Sequence, residues 1–326
     1  MPSYWESGDD MDEFRYHTVM ESVCLGFNLG SLLEINERLN GSYNVTVKIK
    51  TSHGRFVVRI LNAAGKEEHL KVLQPIMHTL HEAAVPVPVP LITEEGASYM
   101  FIEGSFVQVL PFVEGNRFDC RKKQVIASGK MLRRFHEVLK QHQVNVEPAS
   151  SFYRSNDYYI TAIEQLRQVE GIPLVQWSHM NQLSERILSQ WERAAKEMPE
   201  AIMHGDWHFW NQLYAPDDRV ISVMDFDYMQ TGLQIYDLAY ALWVIYILLP
   251  KHATSFDRQL LLGYGKLSSQ EREILPIAVA RIGLFFLCHT ATATDPIERW
   301  NAQYQRQIPL LDWLQRDGRK RLQIAD

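Results

Sequence analysis

Cysteine is scarce in this chain. Three residues, Cys24, Cys120 and Cys288, lie far apart in 326 positions, with no C-x-x-C pair and no Cys/His spacing of a zinc site. Their small, odd number argues against a disulfide framework and suits thiols kept reduced in a cytoplasm. Long apolar runs are also missing. The most apolar stretch, Leu238 to Leu249, has 12 residues and stops at Pro250, whereas a membrane span needs about 20. The N-terminus, MPSYWESGDDMDEF, is acidic and lacks the apolar stretch of a secretory signal. Nor is there a surplus of positive charge. The count of 33 Lys+Arg against 39 Asp+Glu gives −6, so neither nucleic acid nor an anionic membrane is an expected partner. No G-x-x-x-x-G-K-[ST] occurs, which excludes a P-loop; Gly263-Tyr264-Gly265-Lys266 lacks the spacing.

Apolar residues make up 46% and charged residues 22%, a globular composition able to bury a sizeable core. The length suggests two domains. After a possible short helix over 11–25, the stretch from Leu32 to Leu61 alternates like three strands joined by the turns Asn40-Gly41-Ser42 and Ser52-His53-Gly54. Such a pattern predicts an antiparallel meander. Leu70, Leu73, Met77, Leu80 and Ala84 then recur at helical spacing, with Pro75 expected to kink or end that helix. Val85 to Pro90 alternates Val and Pro and predicts an extended connector. Two more strands are expected near 98–102 and 106–110. Beyond Gly115 the periodicity is helical, over 122–141, 155–169, 182–197, 237–249, 268–289 and 297–314. A short β-like stretch, 201–227, interrupts it.

That stretch carries the chemistry. Ile202 to Tyr214 reads I-M-H-G-D-W-H-F-W-N-Q-L-Y, with Asp206 and Asn211 five positions apart; Val220 to Met224 then reads as a strand that delivers Asp225-Phe226-Asp227. Taken singly, each Asp or Asn would be an ordinary turn residue. As a set they suit phosphoryl transfer, which needs cations held on the phosphates and an oriented hydroxyl. Mg²⁺ takes hard oxygen ligands and keeps several waters, so one or two carboxylates plus an amide oxygen suffice.

His204-Gly205-Asp206-x₄-Asn211, followed by a strand and Asp225-Phe226-Asp227, resembles the aminoglycoside phosphotransferase and choline kinase superfamily, closest to bacterial homoserine-kinase-like and spore-coat-type members. The resemblance runs from about Leu32 onward. It implies an α+β, two-lobed protein-kinase-like fold, with a small antiparallel β-rich N-lobe over 31–112, a larger helical C-lobe over 113–326, and residues 1–30 as an N-terminal extension. ATP and Mg²⁺ would be the cofactors. Asp206 would orient the acceptor hydroxyl or take its proton, and Asn211 and Asp225 would ligate Mg²⁺, with Asp227 either a further ligand or a structural acid. His204 would tether the loop and Asp237, in Tyr-Asp-Leu-Ala, would brace it. In the N-lobe, Asn40, Gly41 and Ser42 would cover the phosphates, Arg59 would stand where protein kinases have a phosphate-binding Lys, and Val109 and Leu110 would lie in a hinge that hydrogen-bonds adenine.

Several departures accompany the resemblance. Arg59 replaces Lys, although its guanidinium can pair with phosphate in a bidentate way. Its acidic partner is ambiguous among Glu67, Glu68 and the region of Gln74. The loop Trp207-His208-Phe209-Trp210 is bulkier than usual. Trp207, Phe209, Trp210, Tyr240 and Trp243 invite a cation–π reading for an amine, but core packing is the simpler expectation. His136 is expected on a helix surface or in packing. The expected activity is transfer of the γ-phosphate to a hydroxyl of a small molecule: an amino alcohol, an amino acid such as homoserine, choline, a sugar or an aminoglycoside. Glu164, Asp295 and Glu298 are candidate pocket acids. A catalytically silent kinase-fold binding protein is the alternative; a protein kinase is disfavoured because no activation loop follows Asp227.

Overall fold

The computed structural model describes residues 13–40, 44–62, 67–142, 144–147 and 151–323. The chain divides into two compact units, Met1–Gly115 with Ser222–Met224, and Asn116–Ile221 with Asp225–Asp326.

The first unit is built on a five-stranded antiparallel sheet. Its strands are β1 (Leu32–Asn40), β2 (Asn44–Thr51), β3 (Gly54–Asn62), β4 (Met100–Ile102) and β5 (Ser105–Pro111), in the order β1-β2-β3-β5-β4. Register follows the side-chain alternation. Val47 pairs with Val58 and Val58 with Val109, while Val45 pairs with Ile60 and Ile60 with Val107, so one face is a continuous apolar surface. Helix α1 (Glu13–Gly26) supplies its cover: Val19, Met20, Val23 and Cys24, with Phe27, join those strand residues in one buried cluster. Each such side chain contributes about 2 kcal/mol on leaving water. The N-terminal segment therefore belongs to the core of this unit.

The opposite face carries Thr46, Arg59 and Gln108, which sit side by side across three strands. Helix α2 (Glu67–Glu82) buries Leu70, Leu73, Ile76, Met77 and Leu80. It runs through Pro75, so of the two outcomes expected there, a kink or an end to the first turn, the second does not occur. Pro75 is exposed, and the Thr79 hydroxyl donates to its carbonyl at 3.1 Å. The segment 85–93 is irregular, and buries Val85 and Val87.

The second unit is helical. It comprises α3 (Lys122–Leu139), α4 (Asn156–Arg167), α5 (Leu174–Ala195), α6 (Ile235–Leu248), α7 (Ala253–Tyr264), α8 (Ser269–Cys288) and α9 (Pro296–Trp313). The short strands β6 (Ala201–Met203) and β9 (Gln230–Gly232) pair antiparallel, and β7 (Gln212–Tyr214) pairs with β8 (Val220–Val223). Helix α8 starts at a capping box: Ser268 Oγ accepts from the Glu271 N–H at 3.2 Å, and Glu271 Oε2 accepts from the Ser268 N–H at 2.7 Å. It is long and apolar enough to cross a membrane, yet 83% of its most apolar stretch is buried inside the protein. It packs against α4, α5, α6 and α9 as their common core.

Helix α7 is not anticipated by the sequence reading. Phe256, Leu260, Leu261 and Tyr264 form its buried stripe, but Gly263 and Gly265 interrupt the pattern. Gly263 has a packing reason. A Cβ there would lie 2.2 Å from the Ile126 carbonyl oxygen of α3, and one on Gly129 would lie 2.4 Å from the Leu260 oxygen of α7. The two helices thus touch backbone to backbone, which fixes α3 beneath the loop that follows β6.

Candidate active site

The loop between β6 and β7 is built inward. His204, Gly205 and Asp206 are buried, and Asp206 is only 7% exposed. Gly205 has φ +82°, and a Cβ on it would stand 2.0 Å from the Tyr228 oxygen; only glycine fits both the left-handed backbone and the space. The loop turns sharply, and Asp237, in the first turn of α6 and fully buried, fastens it. Its Oδ2 accepts from the His204 N–H and its Oδ1 from the Gly205 N–H, both at 2.8 Å. His136 Nε2 lies 3.0 Å from Asp237 Oδ2, and His136 Nδ1 lies 2.9 Å from the Tyr264 hydroxyl. One carboxylate thus gathers α3, the loop and α6, with α7 joined through Tyr264. His136, expected as a surface or packing residue, is 3% exposed and is a structural support of the site. Its spacing from Asp237 (101 residues) left no local signal. Trp207 adds a second tie, donating from Nε1 to Ser128 Oγ at 3.1 Å.

After Asp206 the chain makes a single 3₁₀ turn, Phe209–Asn211. His208 caps it, its Nδ1 accepting from the Asn211 N–H at 3.2 Å, while its Nε2 stands 3.5 Å from Asp206 Oδ2. Burial drives the His208 imidazole down to about 4, with His204 adding in the same sense, so it is neutral at physiological pH. Asn211 Nδ2 donates to the Asp206 carbonyl at 3.1 Å and to Asp206 Oδ2 at 3.0 Å. That spends the amide nitrogen and leaves Oδ1 as the acceptor end.

Burial pushes the Asp206 carboxyl up to about 7; Tyr240 and Asn211 oppose the rise by hydrogen bonding, and Asp225 and Asp237 reinforce it by their charge. A cation beside this group would reverse the trend. Asp225 follows β8 and takes φ +67°, a conformation Asp tolerates better than most residues. Phe226, 5% exposed, anchors the turn: its ring lies 5.0 Å from that of His204 and 6.4 Å from that of Phe135. Asp225 and Asp227, on either side of it, are half-buried. Among the described residues no group of three or more His, Cys, Asp or Glu could hold a metal unaided. The donors near Asp206, an amide oxygen and a carboxylate, instead fit Mg²⁺, which completes its octahedron with water and phosphate oxygens.

An aromatic wall adjoins Asp206. Tyr240 hydrogen-bonds that carboxyl; its ring stacks on Phe152 at 5.3 Å and lies 5.7 Å from Trp243, and Trp243 stacks on Phe286 at 4.3 Å. Trp207, Phe209, Tyr240 and Trp243 are all buried, whereas Trp210 is 43% exposed. Asp295 caps α9, accepting from the Glu298 N–H at 3.0 Å, and Glu164 and Glu298 are exposed. Nothing about the wall except its residue types was readable beforehand, because Phe152, Tyr228 and Phe286 come from three separate segments.

In the first unit, Arg59 lies between Thr46 and Gln108 on the sheet face that α1 leaves uncovered. Glu67 bonds Lys71 and Tyr99, both at 3.0 Å, and Glu68 is exposed and faces Lys71. Asn40 ends β1, but Gly41 and Ser42 lie outside the described residues, as does the Asn40 side chain. Val109 and Leu110 were expected in an adenine-binding hinge. Both sit inside β5, paired with Val58 and Val57. The Val109 carbonyl already accepts from the Leu91 N–H at 2.8 Å, and the Val109 side chain lies in the α1 cluster. The Val109 carbonyl is thus taken by the irregular segment before β4, and Phe112, just past β5, gives its N–H to the Arg55 carbonyl at 3.2 Å.

Comparison with known proteins fits this geometry. A model of the phosphotransferase enzyme family matches residues 34–274. The homoserine kinase of Caulobacter sp. is 24% identical over 289 residues, covering 81% of this chain and 83% of that enzyme. The homoserine kinase of Methylobacillus flagellatus is 22% identical over 223 residues, 68% of this chain; the match spans 66% of that enzyme, just under two thirds of its length. Among solved structures, a microcompartment-associated aminopropanol kinase superposes with a TM-score of 0.72 at 16% identity, covering 95% of this chain and all of that one (100%). An amicoumacin kinase in complex with AMP-PNP and Ca²⁺ gives 0.67 at 15% identity, covering 92% and 93%. With a family model that covers most of its length and a two-lobed α+β fold shared with small-molecule kinases, the chain belongs to the phosphotransferase enzyme family.

Proposed function

We propose that this phosphotransferase moves the γ-phosphoryl group of ATP, with Mg²⁺, to a hydroxyl of a small amino alcohol or hydroxy amino acid. The observation that carries the reading is the Asp206–Asn211 pair on a loop fastened by Asp237. Asp206 takes a hydrogen bond from the acceptor hydroxyl and orients it, then holds its proton as the new O–P bond forms and the bond to the ADP oxygen breaks. Asn211 keeps Asp206 in place through its Nδ2, and its Oδ1 and the Asp225 carboxylate would hold the metal. A Mg²⁺ held there would supply neutralisation of the phosphate charge that shifts towards the leaving ADP. Little covalent chemistry is asked of the protein; orientation and electrostatics lower most of the barrier. Arg59 is the phosphate-pairing cation of the first unit. The preference for a small amine-bearing acceptor draws on the relatives, two homoserine kinases by sequence and an aminopropanol kinase by fold.

The test is Mg·ATP turnover, read as acceptor-dependent ADP release, against homoserine, amino alcohols, choline, sugars and aminoglycosides. Asp206→Asn is expected to lower turnover by about 10³-fold or more while nucleotide binding survives, and Asp225→Ala to lose the Mg²⁺-dependent part of nucleotide binding. Turnover retained in Asp206→Asn would sink the role given to that residue.

A further inference from the structure

Histidine is an unusual choice for the capping position of the turn after Asp206. The Asn211 N–H that closes the turn is shared between the His208 carbonyl at 3.1 Å and His208 Nδ1 at 3.2 Å. The backbone oxygen alone would satisfy that donor, and Asn, Asp or Ser would serve better as a capping side chain. The imidazole is nonetheless held in place. Only 21% of the side chain is exposed, the Trp210 ring lies 5.8 Å away, and Gln212 Nε2 donates to the His208 carbonyl at 3.3 Å.

The cap fixes the tautomer. A proton on Nδ1 would face the Asn211 N–H, so the proton of the neutral ring is on Nε2. That nitrogen stands 3.5 Å from Asp206 Oδ2, a few tenths of an ångström beyond hydrogen-bond length. Contacts of this kind to catalytic groups often shorten when substrate is bound. The same Oδ2 accepts from Asn211 Nδ2 at 3.0 Å. A carboxylate oxygen accepts about two such bonds, so these two donors use up Oδ2. The hydrogen bond of Tyr240 and that of the acceptor hydroxyl then fall to Oδ1. The second donor matters because the terminal torsion of an aspartate is soft, and one donor alone would let the carboxylate swing.

We propose that His208 is a positioning residue for phosphoryl transfer: its Nε2–H and Asn211 Nδ2 together hold Asp206 Oδ2, and this turns Oδ1 towards the acceptor hydroxyl. The role rests on Asp206 being the residue beside that hydroxyl. It divides the labour within the loop. Asp237 and the backbone set the path of the chain, and His208 sets the rotation of the side chain that touches substrate. No proton leaves His208; it acts on geometry alone.

Two substitutions separate this role from capping. In His208→Asn the amide oxygen falls where Nδ1 was, which keeps the cap and removes the donor. In His208→Gln the amide nitrogen falls where Nε2 was, which keeps the donor and leaves the Asn211 N–H to the backbone carbonyl of position 208. Steady-state ADP release with Mg·ATP is measured for each, using the most active acceptor among homoserine, amino alcohols, choline, sugars and aminoglycosides, with thermal unfolding to show that both variants are folded. His208→Asn is expected to lose about tenfold in kcat with both KM values within about twofold, and His208→Gln to stay within about threefold of the wild type. Capping alone predicts the reverse order. A Gln variant weaker than the Asn variant, equal losses in the two, or an Asn variant as active as the wild type would overturn the proposal. The tautomer is read apart from turnover, in ¹⁵N spectra of histidine-labelled wild type with Mg²⁺ and AMP-PNP. A proton on Nε2 whose resonance moves in Asp206→Asn is expected; a proton on Nδ1, or an Nε2 resonance blind to that substitution, sinks the contact. That Nε2 signature in a wild type without acceptor-dependent ADP release would keep the contact and refute the kinase reading, so the two failures are distinct.

Discussion

Asp237→Asn is the sharpest test of how the site is held. The side chain is isosteric, so packing is unchanged and only hydrogen bonding and charge are altered. Asp237 accepts from His204 N, Gly205 N and His136 Nε2, and it is fully buried. An asparagine offers one oxygen and one NH₂. Whichever way it turns, at least one buried N–H then faces another donor, and the surviving bonds lose their ionic character. A hydrogen bond to a charged group contributes about 1.5–3 kcal/mol, and a stranded buried donor costs about 1–3 kcal/mol. Partial relaxation of the loop leaves a net loss of about 3 kcal/mol. For a chain of this length that corresponds to about 4 °C in Tm. Turnover should fall further than stability alone implies, by about 100-fold, because a loop shifted by ~1 Å misplaces Asp206. Urea unfolding followed by the fluorescence of the 8 tryptophans, together with ADP release under conditions where both proteins are folded, measures the two effects. A variant within about 0.5 kcal/mol of the wild type and equally active would refute the argument that this carboxylate fastens the loop.

Two further outcomes follow from packing and burial. Gly263→Ala should lower stability by about 2 kcal/mol in chemical denaturation despite alanine's better helix propensity, since its Cβ would meet the Ile126 carbonyl at 2.2 Å; a gain in stability would show that α3 and α7 can separate at no cost. Iodoacetamide at pH 8 should label Cys120 alone in the folded protein, because Cys120 is exposed while Cys24 and Cys288 are buried. Burial raises both of those thiols, which lowers their thiolate fraction at that pH. Mass spectrometry showing rapid modification of Cys288 would contradict its burial in α8.

Legibility in the sequence tracked the range of the forces involved. Strands β1 to β3 were readable because alternation and Gly-containing turns are local, and each appears within a residue or two of its expected bounds. Helix α7 was not among the expected helices. Gly263 is there for contact with α3, a reason visible only across helices. At Pro75 an exposed position let α2 continue. Asn211 and Asp206 could be paired from their spacing alone, five residues on one loop. His136 could not be linked to Asp237, since nothing local marks partners on separate helices.

What the sequence by itself determined was chemistry at short range: the residue types for phosphoryl transfer, their order along one loop and strand, and the alternation that makes a sheet. Tertiary structure decided which groups are buried together. It placed the N-terminal helix on the sheet, set His136 and Asp237 beneath the loop, and gave the Val109 carbonyl to the Leu91 N–H. The division has a physical cause. Backbone periodicity and turn chemistry act over a few residues, whereas burial, which sets the strength of every charge and hydrogen bond in the site, depends on what the rest of the chain brings alongside.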